Sequence, residues 1–308
     1  MPSDASALIL HQYDTSPFSE KVRKVLAHKR LAWRAVEQPT IMPKPQLLPL
    51  TGGYRRIPVL QIGADVYCDT QLIVRVLERI APSPTLYPGG SEGTCAAWQL
   101  WADKLVFITT VSVLFGEVGQ FMPKEFIDDR TKMMPGRDFN ELPRMAPHAR
   151  EQLRGYVATL AAQLADGRPF LLGNDFSLAD AACFHTMWFL RMAPQAKSMI
   201  SDQARVADWV ARVDGMGQGE RSAMTPDEAL EVARRATPAA SGGVDPHEPN
   251  GLAAGGQVTV TPDDYAFDPV AGELVGSSVD EVAVRRRDAD LGDVVVHFPR
   301  IGFRVSVS

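Results

Sequence analysis

The stretch YDTSPFSEKVRKVLAHK, residues 13–29, has the layout of a thiol-redox active site with the sulfur missing. The apolar run at residues 7–13 predicts a buried strand in front of it. Behind it, Phe18, Val22, Val25 and Leu26 share one face of a helix, while Lys21, Arg23 and Lys24 point away from that face. Ser16-Pro17-Phe18-Ser19 falls where such a site carries Cys-x-x-Cys. Pro17 suits the first helical position, which makes Ser16 the N-cap.

Outward from this stretch the chain reads as three parts. Residues 33–38 predict a second strand and residues 43–50 a short helix. Residues 57–62 and 65–68 predict a hairpin turning at Gly63, and Leu72, Ile73, Val76, Leu77 and Ile80 fall at helical spacing behind an Asp69 or Thr70 cap. The order βαβ then αββα is that of a compact α/β domain, assigned to residues 1–81. The Pro- and Gly-rich segment 81–93 is a linker, and helices follow at residues 95–118, 147–165, 178–192, 202–214 and 226–235, giving an all-α domain over 92–235. Ser177 and Asp180 form a short-armed capping box at the start of one of them. The segment 236–257 is a second linker. Residues 257–308 then alternate as strands do and predict a small antiparallel β-sheet extension. Val258, Val260, Val282, Val284, Val294, Val296, Phe298, Phe303, Val305 and Val307 are expected on one face, with Arg285, Arg287, Arg304 and Ser306 on the other. Such a face needs a cover. The expected covers are the helical domain or a second copy of the chain.

Composition narrows the function. The chain has 308 residues, is 45% hydrophobic and carries a formal charge of −5, so it can bury a core but offers no basic surface for nucleic acid or anionic lipid. A small-molecule partner is expected. No segment reads as a membrane span of roughly 18 apolar residues, and a cytoplasmic location is expected. Cys68, Cys95 and Cys183 are odd in number and widely spaced, which predicts free, buried thiols rather than a disulfide framework. The six histidines show no metal-ligand spacing, so no metal is expected. Gly215, Gly217 and Gly219 follow a helix rather than a strand and do not make a phosphate loop.

Ser16-Pro17-Phe18, the run Arg55-Arg56-Ile57-Pro58-Val59-Leu60, the pair Asp69-Thr70 opening a helix and Ser177-Leu178-Ala179-Asp180 in a helical domain together resemble the cytosolic glutathione transferases, over roughly residues 7–235. The Ser-Pro-Phe form is most similar to the serine-type classes, tau in particular. The resemblance implies a thioredoxin-like N-terminal domain, an all-α second domain and glutathione as co-substrate. It implies a homodimer and a small hydrophobic electrophile as the second substrate. Ser16 would be the catalytic residue. Pro58 would be a cis-proline presenting the backbone of Ile57 to the cysteinyl part of glutathione, and Thr70 and Asp69 would take the γ-glutamyl carboxylate and ammonium. Lys44, Arg55 or Arg56 would hold the glycyl carboxylate. The electrophile pocket would lie between Ser16 and the long helix carrying Trp101, Phe107, Phe115 and Phe121, with Tyr13 and Met133 nearby and residues 121–147 as a covering insert. The β extension is outside the usual family plan.

Serine in this place is a poor nucleophile, because no base adjoins it in sequence, but a good hydrogen-bond donor. Lowering a thiol pKa by about two units takes roughly 2.7 kcal/mol. A hydrogen bond to a charged group supplies about 1.5–3 kcal/mol and a helix N-terminus roughly 0.3–1 kcal/mol, so Ser16 at an N-cap suffices to stabilise a borrowed thiolate. Three functions fit: a transferase, another glutathione-dependent enzyme such as an isomerase, dehalogenase or ether-cleaving lyase, and a non-catalytic binding protein of the same fold.

Overall fold

The computed structural model describes residues 6–239 and 242–307. Strand β1 (Ile9–Gln12) is buried along its whole length and runs through Ser16 into helix α1 (Pro17–His28). β2 (Ala32–Glu37) lies parallel to β1. After the single turn α2 (Leu48–Thr51), the hairpin β3 (Val59–Ile62) and β4 (Asp65–Cys68) joins antiparallel on the other side, and α3 (Thr70–Ile80) closes the unit. This is a thioredoxin-like layer of order β2-β1-β3-β4. Leu8, Leu10 and Leu60 on one face of the sheet share a core with Val22, Val25 and Leu26 of α1 and Leu72, Ile73 and Leu77 of α3.

The helical part begins with α4 (Glu92–Trp101), which passes through a π turn (Ala102–Val106) into α5 (Phe107–Val118). Together they make one helix, Glu92–Phe121, long and apolar enough by length and composition to cross a membrane, which the sequence reading did not anticipate. In the fold it packs against α7 (Leu142–Gln163) and α8 (Leu178–Leu190), beside α6 (Lys124–Met133), α9 (Ser198–Ser201) and α10 (Ala204–Asp214). The capping box of α8 forms as expected. The Asp180 carboxylate accepts from Ser177 N at 3.0 Å and also from Leu171 N at 2.8 Å and Trp209 Nε1 at 2.9 Å, which ties three segments of the helical core to one buried side chain.

The basic face of α1 is not solvated. Lys21, Arg23 and Lys24 are at most 2% exposed. Lys21 Nζ pairs with Asp103 Oδ2 of the π turn at 2.6 Å, Arg23 Nε with Glu20 Oε2 at 2.7 Å, and Lys24 Nζ with Glu20 Oε1 at 3.1 Å. Because α1 is wedged between its own sheet and α8, both faces are buried, and the charges are tolerated only as pairs.

A strand absent from the sequence reading, β5 (Glu220–Ala223), extends the sheet in parallel beyond β2. It is approached through Gly219, where φ is +74° and an added Cβ would stand 2.9 Å from the Leu31 carbonyl oxygen, so only glycine fits. α11 (Pro226–Arg235), started by a Thr225/Glu228 capping box, then covers the opposite face of the sheet, with Ala229 and Val232 against Ile9 and Val36.

The extension comprises β6 (Gly243–Val244), β7 (Gln257–Pro262), β8 (Val270–Ser277), β9 (Glu281–Asp288), β10 (Gly292–Pro299) and β11 (Phe303–Val307). Its five long strands pair antiparallel in the order β11-β7-β8-β9-β10. Its cover is wider than the expectation. β10 pairs in parallel with β4, matching Val295, Val296 and His297 to Asp65, Val66 and Tyr67, so the extension continues the thioredoxin-like sheet. Nine of the ten anticipated apolar residues pack with Leu47, Leu50, Tyr54, Val59 and Val66 of the N-terminal part, and Val307 is exposed. Leu230 and Ala233 of α11, within the segment assigned to the helical domain, join the same cluster, so the cover is shared between the thioredoxin-like part and that helix. Without β10, β4 would be an edge strand with unpaired N–H and C=O groups, which is where the extension joins.

Candidate functional site

Ser16 stands at the junction of β1 and α1 in the extended backbone conformation of an N-cap (φ −77°, ψ 118°), with Pro17 at the first helical position. Its Oγ accepts from Ser19 N at 3.2 Å. A hydroxyl that accepts from the backbone still has its proton to give, and Ser16 faces a cavity into which that proton can be aimed. The residue is 2% exposed, so whatever meets its hydroxyl must come through that cavity.

Two cavities meet at this point, of about 360 and 410 Å³, sharing Phe18, Arg56, Ile57, Phe107, Met134 and Tyr265 as walls. The first holds Pro58, Asp69 and Thr70 as well. The Ile57–Pro58 peptide is cis. Asp69 caps α3 with φ +68°, a conformation a non-glycine residue adopts only when its surroundings impose it, and its carboxylate accepts from Gln71 N at 2.9 Å. The first turn of α3 thus opens on the cavity with its backbone donors beside a fixed carboxylate. Asp103 and Lys104 form the opposite wall. Burial would raise the Asp103 carboxyl, but Lys21 and His185 Nε2, the latter 2.9 Å away, hold it below the usual carboxylate range.

The second cavity is apolar over most of its surface and contains Ser16 and Tyr13 at one end. Of the aromatic residues expected to line it, Phe107 and Phe115 do, and Met133 joins them. Trp101 instead packs edge-on against Trp98 and Tyr156, while Phe121 is 76% exposed. The segment expected to cover it contributes α6, which is helical rather than irregular and presents Phe126, Arg130 and Met133. At the polar end, Asp129 pairs with Arg55 and, at 2.6 Å, with Arg130, while Lys44 nearby donates to the Pro39 carbonyl. Lys44 is lowered to about 8 by burial and by the neighbouring Arg130 and Arg55. Three cations against one carboxylate leave this end electropositive. Arg130 also reaches the Tyr13 hydroxyl at 3.5 Å and the Thr40 carbonyl at 2.8 Å.

The sequence-derived site residues Ser16, Arg56, Ile57, Pro58, Asp69 and Thr70 are therefore brought together around two joined cavities. Lys44 and Arg55 line the second cavity, whereas Asp69 and Thr70 line only the first. Sequence reasoning missed Arg130, Lys104, Asp264 and Tyr265. The last two belong to the β7–β8 loop of the extension, and nothing local in the sequence ties that loop to residues two hundred positions earlier.

Cys68, Cys95 and Cys183 are free and buried, as expected, and burial pushes the Cys68 and Cys183 thiols well above their ordinary value. Among the described residues no three His, Cys, Asp or Glu side chains gather as metal ligands.

Comparison with known proteins gives a consistent picture. Residues 10–85 match the model of the glutathione S-transferase N-terminal domain and residues 137–212 that of the glutathione S-transferase C-terminal domain. No curated protein matches the sequence. Among solved structures, a GST-like protein from Pseudomonas syringae is 40% identical, with a TM-score of 0.82, over 98% of this chain and 100% of its own, a coverage that necessarily takes in the β extension. A glutathione S-transferase from Rhodospirillum rubrum F11 (21% identity, 67% of this chain, 87% of its own, TM-score 0.53) shares the fold. So does the β-etherase LigF from Sphingobium sp. strain SYK-6 (19% identity, 68% of this chain, 98% of its own, TM-score 0.55).

Proposed function

The chain belongs to the glutathione S-transferase family, and on that premise we propose that it is a glutathione transferase in which Ser16 holds the glutathione thiolate for attack on a hydrophobic electrophile. The observation that carries this reading is that Ser16, Ile57, Pro58, Asp69 and Thr70, distant in sequence, open on two joined cavities, one of mixed lining with several charged side chains and the other mostly apolar. In this reading glutathione lies in the first cavity. Its γ-glutamyl end meets the first turn of α3 at Thr70 and the carboxylate of Asp69, and its cysteinyl part runs along Ile57 and Pro58 towards Ser16. Arg56 balances one of its carboxylates. The sulfur reaches the mouth of the second cavity, where the Ser16 hydroxyl donates to it and the positive end of α1 favours its anion. An electrophile seated among Phe107, Phe115, Phe126 and Met133 then meets the sulfur in a water-poor chamber.

Ser16→Ala tests the assignment. The Oγ makes one backbone contact, so folding is expected to survive the loss of a cap worth about 1 kcal/mol. Turnover at neutral pH is expected to fall by roughly 10- to 100-fold, the rate equivalent of a hydrogen bond to a charged group. Rescue at high pH, where the thiol ionises unaided, accompanies the loss. Unchanged turnover across the pH range would remove Ser16 from the mechanism and pass its role to Tyr13, whose hydroxyl lines the same cavity.

A further inference from the structure

The loop between β7 and β8 leaves the extension and crosses to both halves of the cleft. Asp264 Oδ1 accepts from Arg56 at 2.5 Å on the thioredoxin-like side, and Oδ2 accepts from Lys104 Nζ on the helical side. Oδ1 takes a further hydrogen bond from Tyr265 N at 2.9 Å. The Tyr265 carbonyl accepts from Arg56 as well, and its ring lies 3.7 Å from the Arg56 guanidinium carbon, against the face of the cation. One residue on, Ala266 N donates to the Met133 carbonyl at the end of α6 at 2.7 Å, with Ala266 held at φ +45°. The loop is thus fastened at three points, one on each wall and one on the end of α6, and Tyr265 borders both cavities.

Both Asp264 oxygens are already occupied by donors, which leaves this carboxylate ill-suited to receive a ligand's ammonium group. It stands instead where a ligand's carboxylate would stand. Partial burial would raise its pKa, but Arg56 and Lys104 hold it below the usual range, so it is ionised at neutral pH. Without it, the first cavity presents Arg56, Lys104 and Arg137 against Asp69, the Asp103 charge being engaged by Lys21 and His185. With it, two of those three cations are taken up.

We propose that the β7–β8 loop is a strap carrying an internal competitor, in which Asp264 occupies Arg56 and Lys104 until a carboxylate of the incoming co-substrate displaces it, so that the extension sets the affinity of the site for anionic ligands. The proposal rests on the reading of the first cavity as the glutathione site, and it makes Asp264 and Tyr265 part of the binding machinery rather than of a remote appendage. Displacement exchanges one carboxylate for another on the same two cations. The displaced Asp264 carboxylate loses both cations and must be taken up by water.

The test uses the full-length chain and its Asp264→Asn variant, with glutathione and the simple dicarboxylate glutarate as probes, and reads affinity by calorimetry and strap mobility by amide hydrogen exchange. Removing a competing charged hydrogen bond is expected to tighten glutathione binding by roughly tenfold. In the wild type, added glutathione is expected to accelerate exchange at the amides of Tyr265 and Ala266, the reverse of ordinary ligand protection. Glutathione bound equally or more weakly by the variant, or protection of those amides on binding, overturns the strap while leaving the glutathione site standing. If neither protein binds glutathione but the variant binds glutarate more tightly than the wild type, the strap holds and the proposed co-substrate falls. Binding of neither probe to either protein overturns both.

Discussion

Replacing Phe298 by alanine should destabilise a part of the molecule that Phe298 does not belong to. Phe298 lies near the end of β10 and is 0% exposed. Its ring centroid is 5.8 Å from that of Tyr54 on the approach to β3, and 5.4 Å from that of Phe303 on β11. Truncating a buried phenylalanine costs about 3–5 kcal/mol in lost transfer energy and residual cavity, and the site can collapse little because β10 is pinned to β4 on one side and β9 on the other. At roughly 2 °C per kcal/mol for a chain of this size, the midpoint should fall by on the order of 6–10 °C. The assay exploits the placement of the five tryptophans at positions 33, 98, 101, 188 and 209, none in the extension. If the sheet is continuous, tryptophan fluorescence and far-ultraviolet circular dichroism of Phe298→Ala shift together, because the extension cannot leave without exposing Leu47, Leu50, Tyr54 and Val66. A tryptophan midpoint unchanged from wild type, beside an earlier and separate loss of β signal, would show the extension to be an independent unit and refute the reasoning.

Two further outcomes follow from side chains already described. His297 on β10 places Nε2 2.9 Å from Asp65 Oδ1 of β4 and Nδ1 2.6 Å from Glu281 Oε1 of β9, stacked on Tyr67; burial disfavours its charge, but the two carboxylates raise its pKa above the usual 6.5. A raised native value means stability that is fully present below about pH 6.5 and lost as pH rises through the native value, so the Tm deficit of His297→Gln should be largest in mild acid and shrink in alkali; a deficit growing with pH would contradict it. Ser16→Cys should gain thiol-transferase activity that the wild type lacks, since serine forms no mixed disulfide and an N-cap lowers a thiol pKa; strong disulfide reduction by the wild type would point to Cys68, which is 0% exposed.

What could be read from the sequence was local. Ser16-Pro17 fixed an N-cap, Ser177 and Asp180 a capping box, and Gly63 a hairpin turn, because each is a short-range requirement of backbone geometry written into two to four neighbouring residues. The period-2 pattern of the tail likewise placed nine valines and phenylalanines on one buried face. What was not legible depends on partners far along the chain. The burial of Lys21, Arg23 and Lys24 cannot be read from the stripe itself, since it depends on Asp103 and on the packing of α8. β5, only four residues long and exposed throughout, has no apolar signature, and only the positive φ of Gly219 betrays how closely the chain returns to Leu31.

The docking of the extension and the closure of the site are consequences of one another. Parallel pairing of β10 with β4 fixes where the extension starts, three strands before β7 in the sheet. A flat continuation would carry the β7–β8 loop steadily away from Arg56. It does not, because the sheet curls: β8 and β9 lose register between Leu274 and Gly276, a bulge that sharpens the local twist, and β11 comes back so that Phe303 lies 6.2 Å from Tyr54. The segment from α2 to β3, including Leu47, Leu50 and Tyr54, is thereby enclosed between the thioredoxin-like sheet and the extension. Arg56 and Ile57 emerge from that enclosed segment. The same apolar burial that makes the extension stick therefore aims Asp264 and Tyr265 at the mouth of the site, and a change that loosens the seam at Val296 or Phe298 should reach the affinity for glutathione without touching a residue that binds it.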